Sequence, residues 1–221
     1  MEQRLQAAGN EDQDMLVNDE MFESQDETHI LHPSSRAVFR FWETMRAERS
    51  APLRADLDLK KICSLVPHLF VAEFATKARV FRWRLAGTGV CEIYRSELTG
   101  ANMLAGWDGF EADVIRRFLN ATMTDRQPAV LRFRLQTDNG QLIGTELMAF
   151  PILAADGLTT HIFGGLFPFR EPGSLDYTAL TRFELSAARS VWTENLPAQP
   201  TNSIVPAPAT RNFQVISGGR S

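Results

Sequence analysis

The one cofactor-like spacing in this 221-residue chain is Gly87-Thr88-Gly89-Val90-Cys91-Glu92, where two glycines would let a phosphate approach the backbone at the start of a helix. A dinucleotide fingerprint needs a third small residue where Glu92 stands, and a carboxylate beside a pyrophosphate has the wrong sign. The stretch before it alternates Phe81, Trp83 and Leu85 with Arg82 and Arg84, whereas a central parallel strand runs continuously apolar. The motif therefore reads as a strand-to-helix turn. His29, His32, His68 and His161 are scattered, and Cys63 and Cys91 share no spacing that places two ligands around one ion, so no metal is assigned. A Gly-x-Ser-x-Gly elbow and a Gly-Lys-Ser/Thr phosphate loop are both missing. Cys63 and Cys91 read as buried structural thiols, and His68, just after Pro67, as a hydrogen-bonded residue that positions a strand entry.

Three further groups bear on chemistry or recognition. A carboxyl buried beside an apolar cavity can act as a base, and Glu73 and Glu146 are the strand acids placed to do so; alternation points both toward solvent, and no catalytic residue is assigned. Phe81, Trp83, Phe118 and Phe133 are expected to converge in an aromatic interior that either packs solid or encloses a small apolar ligand. Arg82, Arg84, Arg132 and Arg134 lie in alternating pairs on the outer faces of their strands, as a solvated surface or as a face for an acidic partner.

The elements that must position these residues follow from periodicity. Ala37, Val38, Phe41, Trp42 and Met45 recur at helical spacing after His32-Pro33-Ser34 and predict an amphipathic helix over 34–48. A helical patch over 58–65 is expected to stop before Pro67. Strands are predicted over 69–76 and 80–86 as a hairpin, then a short helix with Val90, Ile93 and Tyr94, then a long helix. Asp108 and Glu111 resemble a capping box for that long helix, and Phe110, Val114, Ile115, Phe118 and Leu119 read as its apolar stripe. Strands over 130–136, 142–153 and 160–169 follow, with turns at Asp138-Asn139-Gly140 and Ala155-Asp156-Gly157. Strands joined by tight turns pair antiparallel, so the fold class is α+β, an antiparallel sheet with helices on one face and a leading amphipathic helix. Residues 181–191, with Phe183, Leu185 and Ala187 alternating, fit either a further strand or a helix, with strand favoured.

Composition sets the outer bounds. At 44% hydrophobic and 10% aromatic residues the chain can bury one core. No run approaches the ~20 apolar residues of a membrane span, and the start is acidic instead of basic and then apolar. Free thiols then suit a reducing compartment, and a cytoplasmic location is expected. Of the 27 acidic residues, nine lie in residues 1–28 against Arg4 alone, which leaves 22 basic and 18 acidic residues elsewhere. The arm at 1–28 reads as a disordered, self-repelling segment or as one that docks on a basic face. Residues 193–221, with Pro197, Pro200, Pro206 and Pro208, read as a disordered tail. A net charge of −4 and no basic run interleaved with aromatics argue against nucleic acid as a partner.

The chain resembles the PAS superfamily, and more closely bacterial single-domain PAS proteins in which a helix precedes the core. The resemblance rests on His32-Pro33-Ser34-Ser35-Arg36 running into Phe41-Trp42, on Asp56-Leu57-Asp58 with Leu65-Val66-Pro67-His68, and on Phe81-Arg82-Trp83-Arg84-Leu85-Ala86-Gly87-Thr88. Glu97-Leu98-Thr99-Gly100 and the closing Phe163-Gly164-Gly165-Leu166 complete it, over about residues 32–170. It implies a five-stranded antiparallel sheet of order 2-1-5-4-3, a concave face covered by the long helix, and a role in sensing or partner contact. The long helix holds neither cysteine nor histidine, so it departs from branches that bind flavin covalently or haem through that helix, and no cofactor is assigned. No kinase, cyclase or phosphodiesterase segment is recognised after Arg170, so the signal is expected to leave by binding. The reading is a non-catalytic regulatory module, a homodimer that contacts an unidentified signalling protein through Phe41, Trp42 and the four arginines. The alternative is a receptor for a small apolar ligand held by the aromatic interior.

Overall fold

His32 starts the first helix. Its ring Nδ1 accepts the Ser34 N–H at 3.1 Å, and Pro33 occupies the first turn, where a missing N–H costs nothing, so α1 (Pro33–Arg46) begins there. The computed structural model describes residues 29–157, 160–170 and 177–191; the acidic arm and the proline-rich tail lie outside them. After α1 come short 3-10 turns at Arg54–Asp56 and Leu59–His68 and then β1 (Leu69–Ala75), β2 (Val80–Ala86) and α2 (Thr88–Tyr94). They are followed by α3 (Gly109–Thr124), β3 (Ala129–Thr137), β4 (Leu142–Leu153), β5 (Thr160–Pro168) and β6 (Leu180–Ser190). The sheet is antiparallel throughout, in the order β2-β1-β5-β4-β3-β6. The expected five-strand order is present, and the 181–191 stretch is a sixth strand beside β3.

Alternation along the strands divides the core in two. Phe70, Phe81, Trp83, Leu131, Phe133, Leu147 and Leu166 face α2 and α3 and pack with Val90, Ile93, Ile115 and Leu119. Val130, Met148, Phe150, Ile152, Phe163 and Phe167 face the other way and are covered by Val38, Phe39, Phe41 and Trp42 of α1. Burying Val38 and Phe41 there contributes about 1.5–3 kcal/mol each. The Trp42 indole stacks on Phe150 at 5.4 Å between centroids, and its Nε1–H donates to the Pro151 carbonyl at 2.9 Å. Pro151 is tolerated inside β4 because β3 pairing ends at Ala149, so no neighbouring strand needs its missing N–H.

Local physics corrects several expectations. A bulge opposite Val71/Ala72 shifts the alternation of β2, so Leu85 leaves the inner face and is 50% exposed. A second bulge, opposite Arg132/Phe133, places Ala188 rather than Ala187 in the inner core. Phe110 is 80% exposed, because it lies about 140° around α3 from Ile115 and off the buried face. The helical patch does not stop at Val66 but runs as 3-10 turns to His68, closed by the Leu69 N–H on the Val66 carbonyl. Its three-residue period turns Ile62, Leu65 and His68 inward and leaves Cys63 exposed, against the expectation of a buried thiol. Gly87 is the close-approach glycine of the Gly-Thr-Gly turn: a Cβ there would sit 2.2 Å from the Pro67 carbonyl oxygen.

Candidate functional site

Two places could carry function, one on each face of the sheet. Between the sheet, α2 and α3, the side chains of Trp83, Tyr94, Met103, Leu104, Trp107, Ile115, Leu131, Phe133 and Leu147 line an apolar cavity of ≈ 10 Å³. That is room for about one water molecule, against the roughly 300 Å³ or more that a ligand pocket offers. Tight aromatic packing accounts for its small size. Trp107 meets Phe133 edge-on at 5.2 Å and Phe183 of β6 at 5.4 Å, and Trp83 meets Phe70 edge-on at 5.0 Å. Burial raises the pKa of the Tyr94 phenol, which stays a neutral hydroxyl. Of the four aromatics expected in a pocket, Trp83 and Phe133 line this cavity; Phe81 is buried away from it against Phe74, and Phe118 packs half-buried at the rim of the core.

On the opposite face a carboxylate is sealed under the start of α1. Glu146 is 0% exposed, and its two oxygens accept the N–H groups of Leu31 at 3.0 Å and His32 at 2.9 Å, with the Arg132 Nε 3.3 Å away. Arg132 also donates to the His29 carbonyl at 2.9 Å, and Arg36 donates to the carbonyls of Ile30 and Leu31. The His32 ring stacks on Phe167 at 5.4 Å with an interplanar angle of 14°. Burial is the main cause that lowers its pKa, with His68 and Arg36 acting the same way and Glu146 and the Pro168 carbonyl opposing. The sequence pointed Glu146 at solvent because β4 alternation puts it opposite the core residue Leu147; the outer face is covered there by α1, and that burial was not visible in strand periodicity. His68, expected to hydrogen-bond, keeps its Nδ1 buried without a hydrogen-bond partner among the described residues.

The proposed contact face does not form as one surface. Phe41 and Trp42 are buried against the sheet, because α1 turns its apolar stripe inward. Arg82 and Arg84 sit on edge strand β2, with Arg84 paired to Glu73 at 2.6 Å, while Arg132 and Arg134 sit on β3. Four strand spacings, about 19 Å, separate the two pairs, with α1 lying between them. Glu73 is also 3.9 Å from His161, a histidine whose pKa is lowered by burial and then by Arg84. No group of side chains that could hold a metal ion, and no helix long and apolar enough to cross a membrane, occurs among the described residues.

A curved antiparallel sheet of order 2-1-5-4-3, helices over an aromatic concave face and a leading helix on the other define an α+β domain of the kind expected of a PAS core. A family model described as PAS domain matches residues 30–167, more than half of the chain, and the chain belongs to the PAS domain family. Two solved structures of RsLOV variants are similar to it at 17% identity. One has a TM-score of 0.37 and covers 50% of this chain and 67% of its own; the other has 0.35, with 50% and 66%. The chain thus spans about two thirds of the length of each. No curated protein matches it.

Proposed function

We propose that this chain is a non-catalytic regulatory PAS module of the bacterial cytoplasm that passes its signal by protein contact, as a homodimer. The observation that carries this reading is how little space the aromatic interior leaves: among the described residues, the cavity lined by Trp83, Trp107, Phe133 and Leu147 is ≈ 10 Å³, too small for a resident ligand. Among the described residues Glu146 is the one fully buried strand acid, and it supports the same reading, because it lies on the face opposite the cavity with both oxygens committed to backbone N–H groups. With Phe41 and Trp42 inside, the contact falls to what the outer face leaves open on the β2 side. There Leu85 and Val66 are exposed, and Arg82 and the Arg84–Glu73 pair flank them.

Sedimentation of the full chain tests this. A dimer that Leu85→Asp converts to monomer, with an unchanged circular dichroism spectrum, is the expected result. A wild-type monomer, or a dimer that Leu85→Asp leaves intact, contradicts it.

A further inference from the structure

On the outer face, α1 covers the middle of the sheet and leaves the β3–β6 side open. Leu31, Leu142 and Phe169 are each about half exposed there, with Phe169 against the His32 ring at 5.5 Å and 3.5 Å from where a Gly144 side chain would begin. Arg134 and Arg182 lie on the same face, opposite Gly144 and Gln136 in the strand register, and Arg36 and Arg132 stand beside them at the start of α1. Against these four arginines the face presents, among the described residues, Glu184, paired with Arg134, and the buried Glu146. Among the described residues, nothing covers this apolar spot, which surplus positive charge rims.

The chain that precedes the described residues leaves from this place. His29 is held by Arg132 through its carbonyl, and Ile30 is buried in the outer core, so the described chain begins directly over β3. The segment before it carries nine acids and one arginine, and it also contains Met15, Leu16, Val17, Met21 and Phe22. From His29 back to Phe22 is seven residues, a reach of up to about 23 Å, enough to cross the open strands.

We propose that residues 1–28 fold back over the β3–β6 outer face, with Met21 and Phe22 on Leu142 and Phe169 and the acids against Arg134 and Arg182. The arm then screens this face from other partners, and its hold weakens as salt shortens the range of the charge contacts. This inference is independent of where the homodimer forms, since Leu85 lies at the other edge of the sheet.

A spin label on Ser24→Cys, in a full-length chain with Cys63→Ser and Cys91→Ala, reads the contact directly by nuclear magnetic resonance. The amide signals of Arg134, Leu142 and Glu184 should be lost and those of Arg82 and Leu85 kept, and Arg134→Glu with Arg182→Glu should restore the lost signals. Broadening at β2, broadening nowhere, or loss that survives the charge reversal would overturn the proposal. So would loss seen when the label is carried by a second, isotopically silent copy, which would make another molecule the occupant.

Discussion

The Glu146 carboxylate of β4 accepts the backbone N–H of His32 at 2.9 Å across 114 residues of chain, fastening the start of α1 to the sheet. Its other oxygen takes the Leu31 N–H, and Arg132 balances its charge. Removing one partner of a buried pair costs more than the pair contributes, because the remaining charge and N–H groups lose their partners inside the protein. Arg132 keeps some access to water, so Glu146→Ala should cost about 3 kcal/mol, the low end for such a pair. Glu146→Gln, which retains acceptor oxygen, should cost less. Urea unfolding checks both; a loss below about 1 kcal/mol for the alanine variant would remove the fastening role.

Acid should destabilise the protein through its histidines. The His32 Nδ1 accepts the Ser34 N–H and so is held unprotonated, and burial lowers the native pKa below 6.5. Between that lowered value and 6.5 the unfolded chain binds the proton and the native chain does not, so stability falls as pH drops through this window and levels off below both values. His161, lowered by burial and Arg84, has the same sign. His32→Asn keeps a capping acceptor and removes the titration, so the stability lost between about pH 7 and about pH 5 should shrink. An unchanged profile would show that His32 does not carry it.

The filled interior can be opened deliberately. Leu147 lines the small cavity and is almost fully buried, so Leu147→Ala should cost about 2–5 kcal/mol and enlarge the space. An apolar cavity of that kind takes up benzene. Benzene should raise the melting temperature of the variant and leave that of the wild type unmoved; a rise in the wild type would mean that a pocket is already present.

Glu111 guards the open edge of the sheet. The Asp108 side chain caps α3 by accepting the Glu111 N–H at 2.9 Å, but the Glu111 carboxylate does not return the bond and instead accepts the Leu185 N–H of β6 at 2.9 Å. The opposite edge, β2, is covered by residues 100–103 through bonds such as Trp83 N–H to the Ala101 carbonyl at 3.1 Å. Glu111→Ala should cost about 1 kcal/mol, speed exchange of the Leu185 amide and make the protein more prone to edge-to-edge association. Unchanged exchange at Leu185 would dismiss the guard.

Sequence made the strands legible because their period of two is strict wherever one side chain faces a core: Phe81 and Trp83 against Arg82, and Phe133 and Leu135 against Arg134, fall on the expected faces. It failed at Leu85 because a bulge is set by strand pairing, which the sequence of β2 alone does not contain. Helix periodicity located α1 but not its partner, and so Phe41 and Trp42 read as available for contact when they are spent on Phe163 and Phe150. Glu146 and Glu111 were hidden for the same reason. Each satisfies backbone groups of a distant element, Leu31 and His32 or Leu185, and such partners exist only once the fold brings them together.

Signalling by contact through a domain with a filled interior is tested most directly by native mass spectrometry of the freshly purified, untagged full chain. The expected spectrum shows the mass of two chains and nothing more. One small molecule bound per chain at full occupancy would contradict it and make the aromatic interior a receptor site.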